Sequence, residues 1–125
     1  MKKISFFFLI MLLVFPFNVK ATTEVIDTKN PPTNLELSFL RFLGPTILTV
    51  MAEHGDRQLF TDERILKIAR NIEQDYYDVS LKVIGYKGAM NPAYKMITMT
   101  IRTPSGDHTN KPYKVIHYQS KLITP

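Results

Sequence analysis

Side chains able to do chemistry are few and scattered along these 125 residues. Three histidines are present: His54 beside Glu53 and Asp56, His108 after Asp107, and His117 between Ile116 and Tyr118. No two of them have the i, i+4 spacing or the short-range clustering that a metal site needs. His54 reads better as a cation at a helix C-terminus, where it meets the negative end of the helix dipole. The carboxylates group only once, as Glu73, Asp75 and Asp78. With a tyrosine, such a cluster is what a small hydrolase or lyase would require. The serines Ser38, Ser80, Ser105 and Ser120 lack the Gly-x-Ser-x-Gly turn that exposes a nucleophile. Cysteine is absent, which excludes a thiol nucleophile, a disulfide framework, a zinc site built on thiolates and a lipid-modified cysteine. The sequence therefore predicts no catalytic residue, no metal ligand and no cofactor.

The strongest recognition signal is the stretch from Gly85 to Tyr94, Gly-Tyr-Lys-Gly-Ala-Met-Asn-Pro-Ala-Tyr. It lies between two strand patterns and is about twice the length that a hairpin connection needs. Glycines open backbone conformations closed to other residues, and Asn91-Pro92 sets a turn. Tyr86, Met90 and Tyr94 add apolar area, the tyrosines with polar tips. Tyr86, Met90, Asn91 and Tyr94 are the candidate binding residues, held by a rigid sheet. The competing reading of the same stretch is a structural corner that lets the sheet twist.

The elements that must position this loop follow from periodicity. Thr33-Asn34-Leu35-Glu36 matches a capping box, in which the threonine hydroxyl accepts the N–H three residues on and the glutamate reaches back. Leu35, Phe39, Phe42, Leu43, Ile47, Val50 and Met51 then recur at three and four, predicting one apolar helical stripe ending near Gly55. Gly44-Pro45 interrupts it and predicts a kink or two short helices in tandem. Residues 62–72 fit a helix and a strand equally by pattern. Tyr77 to Val83, Ile97 to Ile101 and Tyr113 to Ser120 alternate as half-buried strands, with Pro104-Ser105-Gly106-Asp107 as a turn. Connections this short leave no room for parallel crossovers. The expected class is α+β: an N-terminal kinked helix packed on a three- or four-stranded antiparallel meander sheet.

Residues 1–21 have the order of a secretory leader: Met1-Lys2-Lys3, an apolar run from Ile4 to Phe17, then a polar end closing on Ala21. The apolar run is shorter than the ~20 residues of a membrane span. The expected locale is secreted or extracellular after cleavage near Ala21, leaving 104 residues, one domain's worth. Uncleaved, the leader would anchor the domain outward-facing, and only then is a membrane partner expected. Residues 22–32 are polar and aperiodic and end in Pro31-Pro32, predicting a flexible tether, with a single domain over 33–125. Three of the 16 basic residues and none of the 11 acidic ones lie in the leader, so a charge of +5 falls to +2. No block of like charge remains, and no nucleic-acid partner is expected. The expected partner is an unknown protein or cell-envelope component.

The run Gly88-Ala-x-Asn-Pro-x-Tyr94, followed by Ile97-Thr-x-Thr-Ile101 and Val115-Ile-x-Tyr118, resembles a family of small exported proteins of Gram-positive spore formers. That family is catalogued as domain of unknown function 3888. The resemblance covers roughly Leu35 to Leu122 and includes the leucine-rich helix broken by Pro45. It implies a fold, with an extended segment at Ile65 to Arg70 and a turn at Asn71 to Asp75, and carries no catalytic or cofactor residues. Members usually place a histidine and a second proline in the loop where this chain has Met90 and Ala93, which weakens any acid–base or metal role for the loop here.

Overall fold

The computed structural model describes residues 21–88, 94–106 and 110–123. Helix α1 (Asn34–Glu53) starts where the capping residues place it: Thr33 is extended, and its Oγ1 accepts from the Glu36 N–H at 3.2 Å. The second arm of the box differs from expectation. Glu36 turns its carboxylate into the domain, where Oε1 accepts from Arg64 Nε at 3.1 Å and from the Ile65 N–H at 2.9 Å. Arg64 Nη1 also donates to the Thr28 carbonyl at 3.0 Å. A local capping group thus serves as a long-range tie.

That tie sets the phase of α1. Its buried positions are Glu36, Leu40, Leu43, Ile47, Val50 and Met51, spaced by fours and threes as far as Val50 and closing on the adjacent Met51. Leu35 and Phe42, expected in the core stripe, are 81% and 80% exposed, and Phe39 is only half-buried. Hydrophobicity alone chose a stripe rotated towards them, because a paired glutamate on the buried face is invisible to it. α1 is continuous through Pro45 and is one helix, not two in tandem.

The sheet has five strands, not three or four, in the order β1-β2-β3-β4-β5 and antiparallel throughout: β1 (Ala21–Val25), β2 (Leu59–Asn71), β3 (Tyr76–Tyr86), β4 (Lys95–Thr103) and β5 (Lys114–Leu122). Residues 62–72 resolve almost wholly as strand. Asp62 and Glu63 fall in a bulge of β2, with Asp62 at φ 53°. The extra strand comes from the segment expected to be leader end and tether: Ala21–Val25 pairs with Asn71–Lys67. All five of its residues are exposed, so no alternation marked it, and ladder hydrogen bonds rather than burial define it. Ile26 then packs against the core.

α1 covers one face of the sheet. Leu40, Leu43, Ile47, Val50 and Met51 meet Ile65, Val79, Leu81, Val83, Ile97, Met99 and Ile101 in a single core. By length and composition α1 would also pass for a membrane span, with a mean hydropathy of 1.4. Here its apolar side chains at these positions are spent on the sheet.

Candidate functional site

β3 and β4 pair from Tyr77↔Thr103 to Gly85↔Lys95, so their connection leaves from one edge of a continuous ladder. Of the candidate binding residues, Tyr86 closes β3 half-buried and Tyr94 stands partly exposed just before β4. Met90 and Asn91 lie outside the described residues. What the structure supplies is the mount of this loop.

The mount is built by the C-terminal turn of α1. His54 caps the helix, its Nδ1 2.8 Å from the Val50 carbonyl, and Gly55 takes φ 86° so that the chain doubles back. The Asp56 N–H then bonds to the Met51 carbonyl at 2.8 Å. This reversal turns Asp56 and Gln58 under the end of the sheet, where they are only 5% and 8% exposed. Lys95 Nζ, at the loop's exit, donates to Asp56 Oδ1 at 2.7 Å, and the Tyr118 hydroxyl on β5 donates to Oδ2 at 2.5 Å. His54 stacks on Tyr118 with ring centroids 4.1 Å apart and planes 13° from parallel. The Ile123 N–H donates to the Tyr94 carbonyl at 2.9 Å. At the loop's entrance, a Cβ on Gly85 would stand 2.5 Å from Gln58 Oε1 and 3.2 Å from Ile97 Cδ1, so glycine admits the buried amide beneath it. Gln58 Oε1 accepts no hydrogen bond from the described residues. A cavity of about 470 Å³ opens beside it, lined by Leu48, Ala52, Arg57, Leu59 and Lys87.

The electrostatics suit holding rather than proton transfer. Burial by itself would raise the Asp56 carboxyl, but the hydrogen bonds from Lys95 and Tyr118 and the nearby positive charge hold it below its ordinary value of 3.8. Burial, then the hydrogen bond to Asp56 and its charge, push the Tyr118 phenol well above its ordinary value of 10.0. Neither group changes charge near neutrality, as a general acid or base must. Sequence reasoning missed this cluster because its members are 39 and 62 residues apart. The one local signal was the polar run after α1.

Other candidates separate in space. Asp78 is bound bidentately to Arg102 at 2.8 and 3.0 Å, and Arg102 lies over the Tyr76 ring at 3.9 Å. Asp75 occupies the β2–β3 turn at φ 54°, exposed and 3.9 Å from Arg70. The expected Glu73–Asp75–Asp78 cluster therefore divides between the open face of the sheet and a solvent-facing turn. Among the described residues no group of three or more potential ligands could hold a metal ion. His117 is exposed on β5, and His108 lies outside the described residues. A second cavity, about 580 Å³, lies between β1, the start of α1 and β2, beside the Glu36–Arg64 pair. Its walls include Val25, Ile26, Leu35 and Phe39.

A family model described as Protein of unknown function (DUF3888) matches residues 35–119, from the start of α1 into β5. The chain belongs to that family. The DUF3888 match takes in the whole mount except the Ile123–Tyr94 bond, since Asp56, Gln58, Gly85, Lys95 and Tyr118 all fall inside it, whereas β1 falls outside. No curated protein and no solved structure matches the DUF3888 chain.

Proposed function

We propose that this domain is an exported, non-catalytic binding module that engages a protein or cell-envelope component through the 85–94 loop. The observation that carries the reading is the mount. The exit of the loop is bonded through Lys95 to the buried Asp56, which also holds Tyr118, and the entrance at Gly85 lies directly over the buried Gln58 amide. Loops that bind are commonly presented in this way, on a scaffold whose own groups take no part in chemistry. Tyr86 and Tyr94 flank the loop and supply rigid aromatic area at low entropic cost. The adjoining groove by Gln58, Arg57 and Lys87 offers a polar and apolar floor to the same partner. A carboxylate-based hydrolase has less to support it, since Asp78 is committed to Arg102.

Export rests on the order of charge, apolar run and small residue in the leader. An intact mass of protein recovered from its host, with the amino terminus near Thr22, is the expected result; a retained leader would mean an anchored domain. For the loop, the combined substitution Met90→Ala, Asn91→Ala and Tyr94→Ala is expected to abolish binding to whole cells or envelope fractions while leaving the melting temperature within ~3 °C. Retained binding would remove the loop from the interface, and a drop of ~10 °C or more would make it a structural corner.

A further inference from the structure

The face of the sheet turned away from α1 carries a charge pattern of its own. Lys82 lies between Leu81 and Val83, which are fully buried under α1, so its side chain stands on the opposite face. Directly paired residues share a face, and the register then defines the rows. Lys67 pairs with Ser80, which pairs with Thr100, opposite His117. Lys82 pairs with Thr98, opposite Gln119; Ile84 pairs with Met96, opposite Lys121. Asp78, Arg102 and Lys114 form a further row, and Tyr76 lies beyond it under Arg102. The one carboxylate of these rows, Asp78, is taken by Arg102. Lys67, Lys82 and Lys121 form no ion pair with described residues and follow one diagonal across β2, β3 and β5.

We propose that this face binds an anionic glycan, a hydrated sugar chain bearing carboxylate or phosphate groups. Charge complementarity selects an anion, since an unbalanced cationic face is where one gains most. The centre of the face selects the class. Thr100, whose hydroxyl is 2.9 Å from that of the buried Ser80, offers donors and acceptors to sugar hydroxyls together with Thr98 and Gln119. A single-stranded nucleic acid would need a run of aromatic rings on which successive bases stack, and these central rows offer one ring, the His117 imidazole. An anionic bilayer would need apolar side chains to sink into its interface, and the centre is polar throughout. The surface is distinct from the loop mount, so either reading can fail without the other.

The test is fluorescence-anisotropy titration of the purified chain with labelled oligogalacturonate at low and physiological salt. The expected result is salt-sensitive binding, weakened about tenfold or more by Lys67→Gln, Lys82→Gln and Lys121→Gln together, the sum of three exposed ion pairs. The corresponding triple Lys→Arg variant should retain it, which separates charge from folding. Lys29→Gln with Arg41→Gln, away from these rows, should leave it unchanged. No binding at low salt, equal binding by the triple Gln variant, or binding only to oligo-dT or to phosphatidylglycerol vesicles would each overturn the proposal.

Discussion

Replacing Asp56 with alanine is expected to be among the costliest single changes outside the apolar core. The carboxylate is buried and has two partners, Lys95 Nζ at 2.7 Å and the Tyr118 hydroxyl at 2.5 Å. A hydrogen bond to a charged group contributes ~1.5–3 kcal/mol, and we take ~2 kcal/mol for Tyr118 because its hydroxyl loses its only described acceptor. The Lys95 side chain is 30% exposed, so its pair is screened and adds ~1 kcal/mol. Asp56→Ala should therefore cost ~3 kcal/mol, read as a shift of the urea midpoint and as a melting temperature lower by ~12–20 °C. Tyr118→Phe alone should cost ~1.5 kcal/mol, and in the double variant the two losses should fall short of their sum by about that amount. pH supplies a second readout. The Asp56 carboxyl is depressed in the fold, so its contribution is present above its unfolded value near 3.8 and disappears as pH falls through the folded value. The Tyr118 phenol is raised, so its contribution is present below 10.0 and disappears above it. The gap between wild type and Asp56→Ala should be flat from about pH 5 to 9 and narrow on both sides. A loss below ~1 kcal/mol, or a gap that changes through neutrality, would refute the account of the mount.

Two further outcomes test the frame around it. Leu40→Ala should cost ~2–5 kcal/mol and Phe42→Ala less than ~0.5 kcal/mol by urea unfolding, although the two lie two residues apart on α1, because Leu40 is 1% exposed and Phe42 80%. Glu36→Ala, which strands the half-buried Arg64 and the Ile65 N–H, should cost ~3–5 kcal/mol, whereas Glu36→Leu with Arg64→Met should recover only the share of the stranded guanidinium and leave ~1–3 kcal/mol for the Ile65 N–H without its acceptor.

The sequence by itself determined the elements whose cause is local. Thr33 capped α1 and Gly55 ended it because each acts within one turn of the chain. β3 and β4 were legible because Val79, Leu81, Val83 and Ile97, Met99, Ile101 alternate against a buried face. The DUF3888 resemblance placed β2 as a strand where periodicity alone was even. Tertiary structure decided what depends on distant partners. β1 is a strand only because β2 offers it a ladder, so its own exposed residues carry no pattern. The phase of α1 follows from Arg64, 28 positions away, neutralising Glu36 on the buried face. The polar mount of the 85–94 loop joins Asp56, Lys95 and Tyr118 across the whole domain. Hydrophobic spacing reports which residues avoid water, whereas a buried charge is admitted only when folding brings its counter-charge, and that pairing is written in no local window.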